Sequence, residues 1–140
     1  MKLITLLTIY LAYIASEVRA DGLCGVWDSY KDEKCFNVLT NAGPQPYDTA
    51  KALCDKQNGT LVQITSAEEQ TFLTDLVYNK HKVVDDVWIG VKRVGKGFKW
   101  ELDDTDVSYT NWAVGAPSNA SGEDCVQMLP KLTNQGNTIF

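Results

Sequence analysis

Residues 50–73, "AKALCDKQNGTLVQITSAEEQTFL", carry two helix signatures with a short apolar segment between them. In the first, "PYDTAKALCDKQNG", Pro46 suits an opening helical turn and Ala50, Leu53 and Cys54 share one face at i, i+3, i+4. Asn58-Gly59 then stops the helix. The segment "TLVQIT", with Leu61, Val62 and Ile64, is predicted to be a short, largely buried strand. In the second signature Ser66 is the cap and Glu69 completes an S-x-x-E capping box. Phe72, Leu73, Leu76 and Val77 continue it through "SAEEQTFLTDLVYNK" as an apolar stripe at helical spacing, which belongs in a core rather than on a binding surface.

Downstream of this pair the pattern changes to short strands. "DVWIGVKR" reads as a buried β run around Trp88 and Ile89. "GKGFKWELD" turns at Gly95 to Gly97 and runs through Phe98 and Trp100 at spacing two. Residues 103–124, "DDTDVSYTNWAVGAPSNASGED", are polar and without period, and "CVQML" follows as another strand. A loop of that length in a compact domain is either functional or disordered. Upstream, "CGVWDSYKDEKCF" suits a hairpin closed by a local Cys24–Cys35 bridge, with Trp27 and Phe36 flanking a polar turn. Hairpin, helix, strand, helix, then strands around a long loop describes an α+β domain.

The chain of 140 residues, 44% apolar and 22% charged, has room for one domain with a real core. Its net charge of −5 argues against a phosphate-binding surface, which needs clustered Lys and Arg, so no nucleic-acid partner is expected. "MKLITLLTIYLAYIASEVRA" has Lys2, an apolar run too short to cross a bilayer, and small residues at Val18-Arg19-Ala20. It reads as a signal peptide over residues 1–20, leaving a mature domain at 21–140 that is secreted, extracellular and without a membrane segment. Cys24, Cys35, Cys54 and Cys125 therefore meet an oxidising environment and allow three pairings, and no C-x-x-C pair suggests zinc. Beyond the local bridge, Cys54 and Cys125 either pair with each other or each lack a partner. Asn58-Gly59-Thr60 and Asn119-Ala120-Ser121 are glycosylation sequons. His81, the single histidine, lies among lysines, and no serine or cysteine has a histidine–carboxylate partner near it, so an enzyme is not expected.

The leading hairpin cysteines, the first-helix cysteine in "AKALCDKQNGTLVQITSAEEQTFL", the "VWIGV" run at 87–91 and the stretch from Phe98 to Met128 together resemble a C-type lectin-like domain. The resemblance covers essentially the whole mature chain. It implies two helices flanking antiparallel sheets, with ligands bound on the long loop between "WIG" and Cys125. A disulfide-tied scaffold suits such a loop, because a rigid base holds a polar surface in place. Domains of this kind also imply a further strand and two more cysteines, as partners of Cys54 and Cys125 in separate bridges. The chain stops at "NQGNTIF", so the resemblance implies a truncated or divergent domain with the last strands missing and with Cys54 and Cys125 unpaired in this chain.

Sugar-binding members of the family resemble one another in a Glu-Pro-Asn or Gln-Pro-Asp triplet that ligates calcium and the sugar hydroxyls together. The matching residues here are Ala116-Pro117-Ser118, and Ala116 has no side-chain oxygen. Glu123 matches a third ligand position and Asp124 an accessory one; Ile139 and Phe140 fall where the last two ligands would be. Calcium wants six to eight oxygens, so Glu123 and Asp124 are weak metal candidates and no cofactor is certain. Lys92 and Arg93 stand where calcium-rich members have acidic residues. The ligand loop is expected to use Pro117, Ser118 and Asn119, with Trp112 beside it; Trp27, Trp88 and Trp100 are expected in core packing. The expected function is a secreted recognition protein that binds a glycan or glycoprotein, with calcium bound weakly if at all. The alternatives are a calcium-free module for a protein partner and a non-functional truncated product.

Overall fold

The computed structural model describes residues 24–130, apart from 32, 41, 42 and 119. The expected signal peptide, the Asn119 side chain and the closing stretch at 131–140, including Ile139 and Phe140, lie outside the described residues. The chain divides into two compact units, one ending at Asn37 and one beginning at Val38.

The first unit is the expected hairpin. Strands β1 (Asp28–Tyr30) and β2 (Lys34–Phe36) pair antiparallel with Ser29 opposite Cys35. Lys31 takes a left-handed conformation in the turn, and Cys24 is bonded to Cys35. The rings of Tyr30 and Phe36 lie 6.4 Å apart on this hairpin.

In the second unit α1 spans Tyr47–Lys56. Its end is a Schellman motif: Gly59 N–H bonds to Cys54 O at 3.0 Å and Asn58 N–H to Asp55 O at 3.0 Å. Asn58 sits at φ 56° to close it, and its side chain is exposed, as a glycosylation acceptor requires. A Cβ-bearing residue other than Asn or Asp is strained there. Asn58→Ala is therefore expected to cost about 1 kcal/mol and Asn58→Gly nothing or slightly less than nothing. Urea unfolding of the two variants checks this, and equal midpoints for both would refute it.

Residues 60–65 do not form the expected strand. The segment touches the sheet at one place, where Gly90 N–H bonds to Val62 O at 2.9 Å, so no ladder propagates along it. Its expected burial holds, since Leu61 is 7% and Ile64 0% exposed. Helix α2 (Ala67–Thr74) follows and widens into a π-helical turn over Asp75–Lys80, where one regular helix was expected. Leu76 and Val77 lie buried beside Leu73, the face their i, i+3, i+4 spacing predicts.

The capping box also differs from its sequence reading. Ser66 Oγ accepts from Glu69 N–H at 3.1 Å as expected. The Glu69 carboxylate reaches one residue further back, accepting from Thr65 N–H at 2.9 Å and Thr65 Oγ at 2.8 Å. Glu69 is buried at 1% exposure, and its hydrogen bonds to Thr65 are what make such burial tolerable.

Strands β3 (Val87–Val94), β4 (Gly97–Trp100) and β5 (Cys125–Met128) form an antiparallel sheet in the order β4-β3-β5. A bulge interrupts the β3–β5 pairing between Trp88 and Lys92. Ile89, Val91, Trp100, Val126 and Met128 join Ile64 and the α2 stripe in the core. Tyr78 Oη donates to Met128 O at 2.7 Å, fastening the π-helical turn to β5. Trp88 is half-buried, with its indole N–H on Gln45 O at 2.7 Å and its ring edge-on to Tyr47 at 5.5 Å. The central strand β3 thus carries core residues at 89 and 91 and presents its last residues to the long loop.

Candidate functional site

The segment from Glu101 to Asp124 links β4 to β5. Its first part folds back along β4: Trp100 N–H bonds to Thr105 O at 2.9 Å and Val107 N–H to Phe98 O at 3.1 Å. Asp103 shapes that return, accepting from Thr105 Oγ at 2.6 Å and Thr105 N–H at 3.1 Å; these bonds hold its carboxyl below the usual range. The chain then leaves the sheet. Trp112 packs on Phe98 with ring centroids 4.8 Å apart, so it is anchored in the scaffold while remaining half-buried. Beyond it Ala116 N–H bonds to Ala113 O at 2.9 Å, Gly115 takes φ 87°, and the Ala116–Pro117 peptide is cis. Val114, at the turn, is 87% exposed. Gly122, at φ 90°, turns the chain back toward β5.

Arg93, near the end of β3, holds both limbs of the loop. Arg93 Nη2 donates to Ser118 O on the outgoing limb. Its Nε lies 3.5 Å from Glu123 O and 3.7 Å from Asp124 Oδ1 on the returning limb. Its backbone N–H bonds to Asp124 O at 2.7 Å, and its guanidinium lies 4.6 Å from the centre of the Phe98 ring. Phe98 in turn carries Trp112, so the cation, two rings and both limbs of the loop form one packed unit. Arg93 is 17% exposed as a side chain, although it sits near the end of a sheet at the surface. Its neighbour Lys92 points to a different partner, Glu101, at 3.6 Å.

The structure brings several of the expected ligand-loop residues together. Ser118 Oγ donates to Glu123 Oε2, and Ala120 N–H donates to Ser118 Oγ at 3.1 Å. Glu123 and Asp124 are exposed, and Asp124 faces Arg93. Pro117 is exposed on the loop, whereas Trp100 lies in the core as expected. A depression of about 430 Å³ lies between the β3–β4 turn and the loop's end, lined by Arg93, Gly95, Lys96, Ala120, Ser121 and Asp124. Sequence reasoning took Arg93 only as an argument against a metal. It lies directly opposite Phe98 across the β3–β4 pair, a register that only the structure supplies.

The residues present fit calcium poorly. Of the triplet, Ala116 offers no side-chain oxygen, and the Ser118 hydroxyl is spent on Glu123. Among the described residues no three of His, Cys, Asp and Glu converge. A guanidinium already touches Ser118 O and Asp124, and a second cation placed among the same oxygens meets like-charge repulsion.

Cys54 and Cys125 carry free thiols, each half-buried. Burial pushes the Cys54 thiol up, with Asp55 adding to it. Burial also pushes Cys125 up, with Asp48, Asp124 and Glu101 adding to it. Both therefore stay protonated, and poorly nucleophilic, at pH values where an ordinary thiol ionises.

The family model described as "Lectin C-type domain" matches residues 43–138. A perlucin-like protein of Mytilus galloprovincialis is 31% identical, over 99% of this chain and 91% of its own length. The human low affinity immunoglobulin epsilon Fc receptor is 40% identical over 73% of this chain, which spans only 30% of that receptor. Among solved structures, the carbohydrate-recognition domain of the mouse scavenger receptor C-type lectin superposes with a TM-score of 0.61 at 29% identity, covering 74% of this chain and 78% of that one. C-type lectin domains are generally non-enzymatic binding domains, and the two helices and antiparallel sheets described above are their fold. With the family model spanning residues 43–138 and the mussel relative matching along nearly the whole length, the chain belongs to the C-type lectin domain family.

Proposed function

We propose that this protein is a secreted, non-catalytic recognition module that binds glycans or glycoproteins through the loop between β4 and β5, with no requirement for tightly bound calcium. The observation that carries this reading is the loop itself. It has almost no secondary structure, yet backbone bonds to β4, the Phe98–Trp112 packing and Arg93 hold it in place. A polar surface fixed on a rigid sheet is what low-entropy-cost recognition needs. Family membership supplies the ligand class, and the polar depression beside Lys96 and Asp124 supplies hydrogen-bonding groups of both signs.

The test is a glycan array and a glycoprotein pull-down with the purified chain, each run in calcium and in EDTA. Signal retained in EDTA and lost on enzymatic deglycosylation of the bound glycoprotein supports the reading. Signal that vanishes with EDTA overturns its calcium part; no retention in either buffer overturns the glycan part. A second reading, recognition of a protein surface, is favoured by Val114, an apolar side chain held 87% exposed at the loop's turn. On that reading capture survives deglycosylation and is lost in Val114→Asp.

A further inference from the structure

We propose that the guanidinium of Arg93 is the resident cation of the ligand loop, fixing its binding shape in place of a divalent ion. The inference deepens the reading above, since it concerns how the same loop is held.

Three features support it. The first is reach. Arg93 contacts Ser118 O on one limb and Glu123 O and Asp124 Oδ1 on the other, so it spans residues 118–124 from a single point on β3. Backbone carbonyls and a carboxylate are hard oxygen donors of the sort that would otherwise turn toward a metal. Here they turn toward a planar fork of N–H donors, whose several directions let one side chain bond several oxygens together.

The second is support from behind. The guanidinium lies over the Phe98 ring at 4.6 Å, and Phe98 holds Trp112 at 4.8 Å. A flat, weakly hydrated cation stacks on an aromatic face where a compact ammonium does not do so as well. With the side chain only 17% exposed, the contacts are partly shielded from water, which strengthens them relative to a surface ion pair. The Asp124 partner is itself 64% exposed, so the ion pair alone is a small part of the hold and the carbonyl contacts and stacking are the larger part.

The third is charge. Arg93 brings a positive charge on a planar guanidinium, placed among oxygens of both limbs. Glu123, with its carboxylate on Ser118 Oγ, closes the loop internally, and among the described residues no three of His, Cys, Asp and Glu converge to hold a second cation. The shape of the loop is then insensitive to chelator.

Hydrogen exchange of the ligand-free protein, followed by mass spectrometry, tests this through the peptides covering residues 112–124. In the wild type, protection of these peptides is expected to be the same in millimolar calcium and in EDTA. In Arg93→Ala, exchange there is expected to speed by roughly tenfold, while β3 and β5 peptides change little. Arg93→Lys is expected to recover only part of the protection, because an ammonium reaches fewer of these oxygens and stacks less well on Phe98. Protection that rises with calcium in the wild type overturns the proposal without any variant. So does Arg93→Ala with wild-type loop exchange, full recovery in Arg93→Lys, or an increase spread evenly over the core strands. Because no ligand is present, these outcomes stand apart from whether glycans bind.

Discussion

Gly90→Ala is expected to lower the unfolding free energy by about 3 kcal/mol, near the upper end of what one extra methyl does in a packed interior. A Cβ at this position would lie 2.9 Å from Leu61 O, a backbone atom that cannot rotate aside. The same residue donates to Val62 O at 2.9 Å and accepts from Glu101 N–H at 2.7 Å, so moving either neighbour also loosens a main-chain bond. Thermal and urea unfolding of the variant, with near-ultraviolet circular dichroism to confirm a native baseline, give the number. A loss under about 0.5 kcal/mol would mean that the 60–65 segment yields easily, and the close approach would no longer explain the glycine. The effect should also reach the loop, since β3 carries Arg93 three residues further on.

Glu69→Ala is expected to cost a similar amount, about 3 kcal/mol. It removes the two hydrogen bonds from Thr65, leaves Thr65 N–H and Oγ without that acceptor, and opens space in a site that is 1% exposed. Glu69→Gln keeps the volume and one acceptor oxygen, and should cost about half as much. Urea midpoints for the two variants decide between a bonding role and a filling role. Equal losses for both would mean that charge is what Thr65 requires; a negligible loss for Glu69→Ala would remove the carboxylate from the account of why α2 begins where it does.

Much of the architecture was legible in order along the chain. The hairpin and its disulfide follow from two cysteines around a polar turn, and the structure has both. The stop at Asn58-Gly59 follows from local backbone preference, which is why it appears unchanged as a Schellman turn. Leu73, Leu76 and Val77 follow from helical spacing, and burial confirms that face. The misreadings share a cause. Residues 60–65 have a strand's composition, but whether a ladder forms depends on a neighbour alongside, and β3 meets them at a single residue. The Glu69 side chain has a capping-box position, but a buried carboxylate takes whichever donors the surrounding fold offers, here those of Thr65. The π-helical turn over Asp75–Lys80 has no counterpart in the helical spacing of these residues, which a regular helix would satisfy equally.

The site divides along the same line. The sequence by itself determined the family's framework, the position of the loop and the absence of an oxygen at Ala116, because these depend on residue type and order. Only the tertiary structure decided that Arg93 lies between Ser118 and Asp124, and that Trp112 is backed by Phe98. The reason is physical. Spacing along a chain sets which face of a strand a residue occupies, but a contact across 25 residues, as between Arg93 and Ser118, forms only when sheet register and loop closure bring the two together.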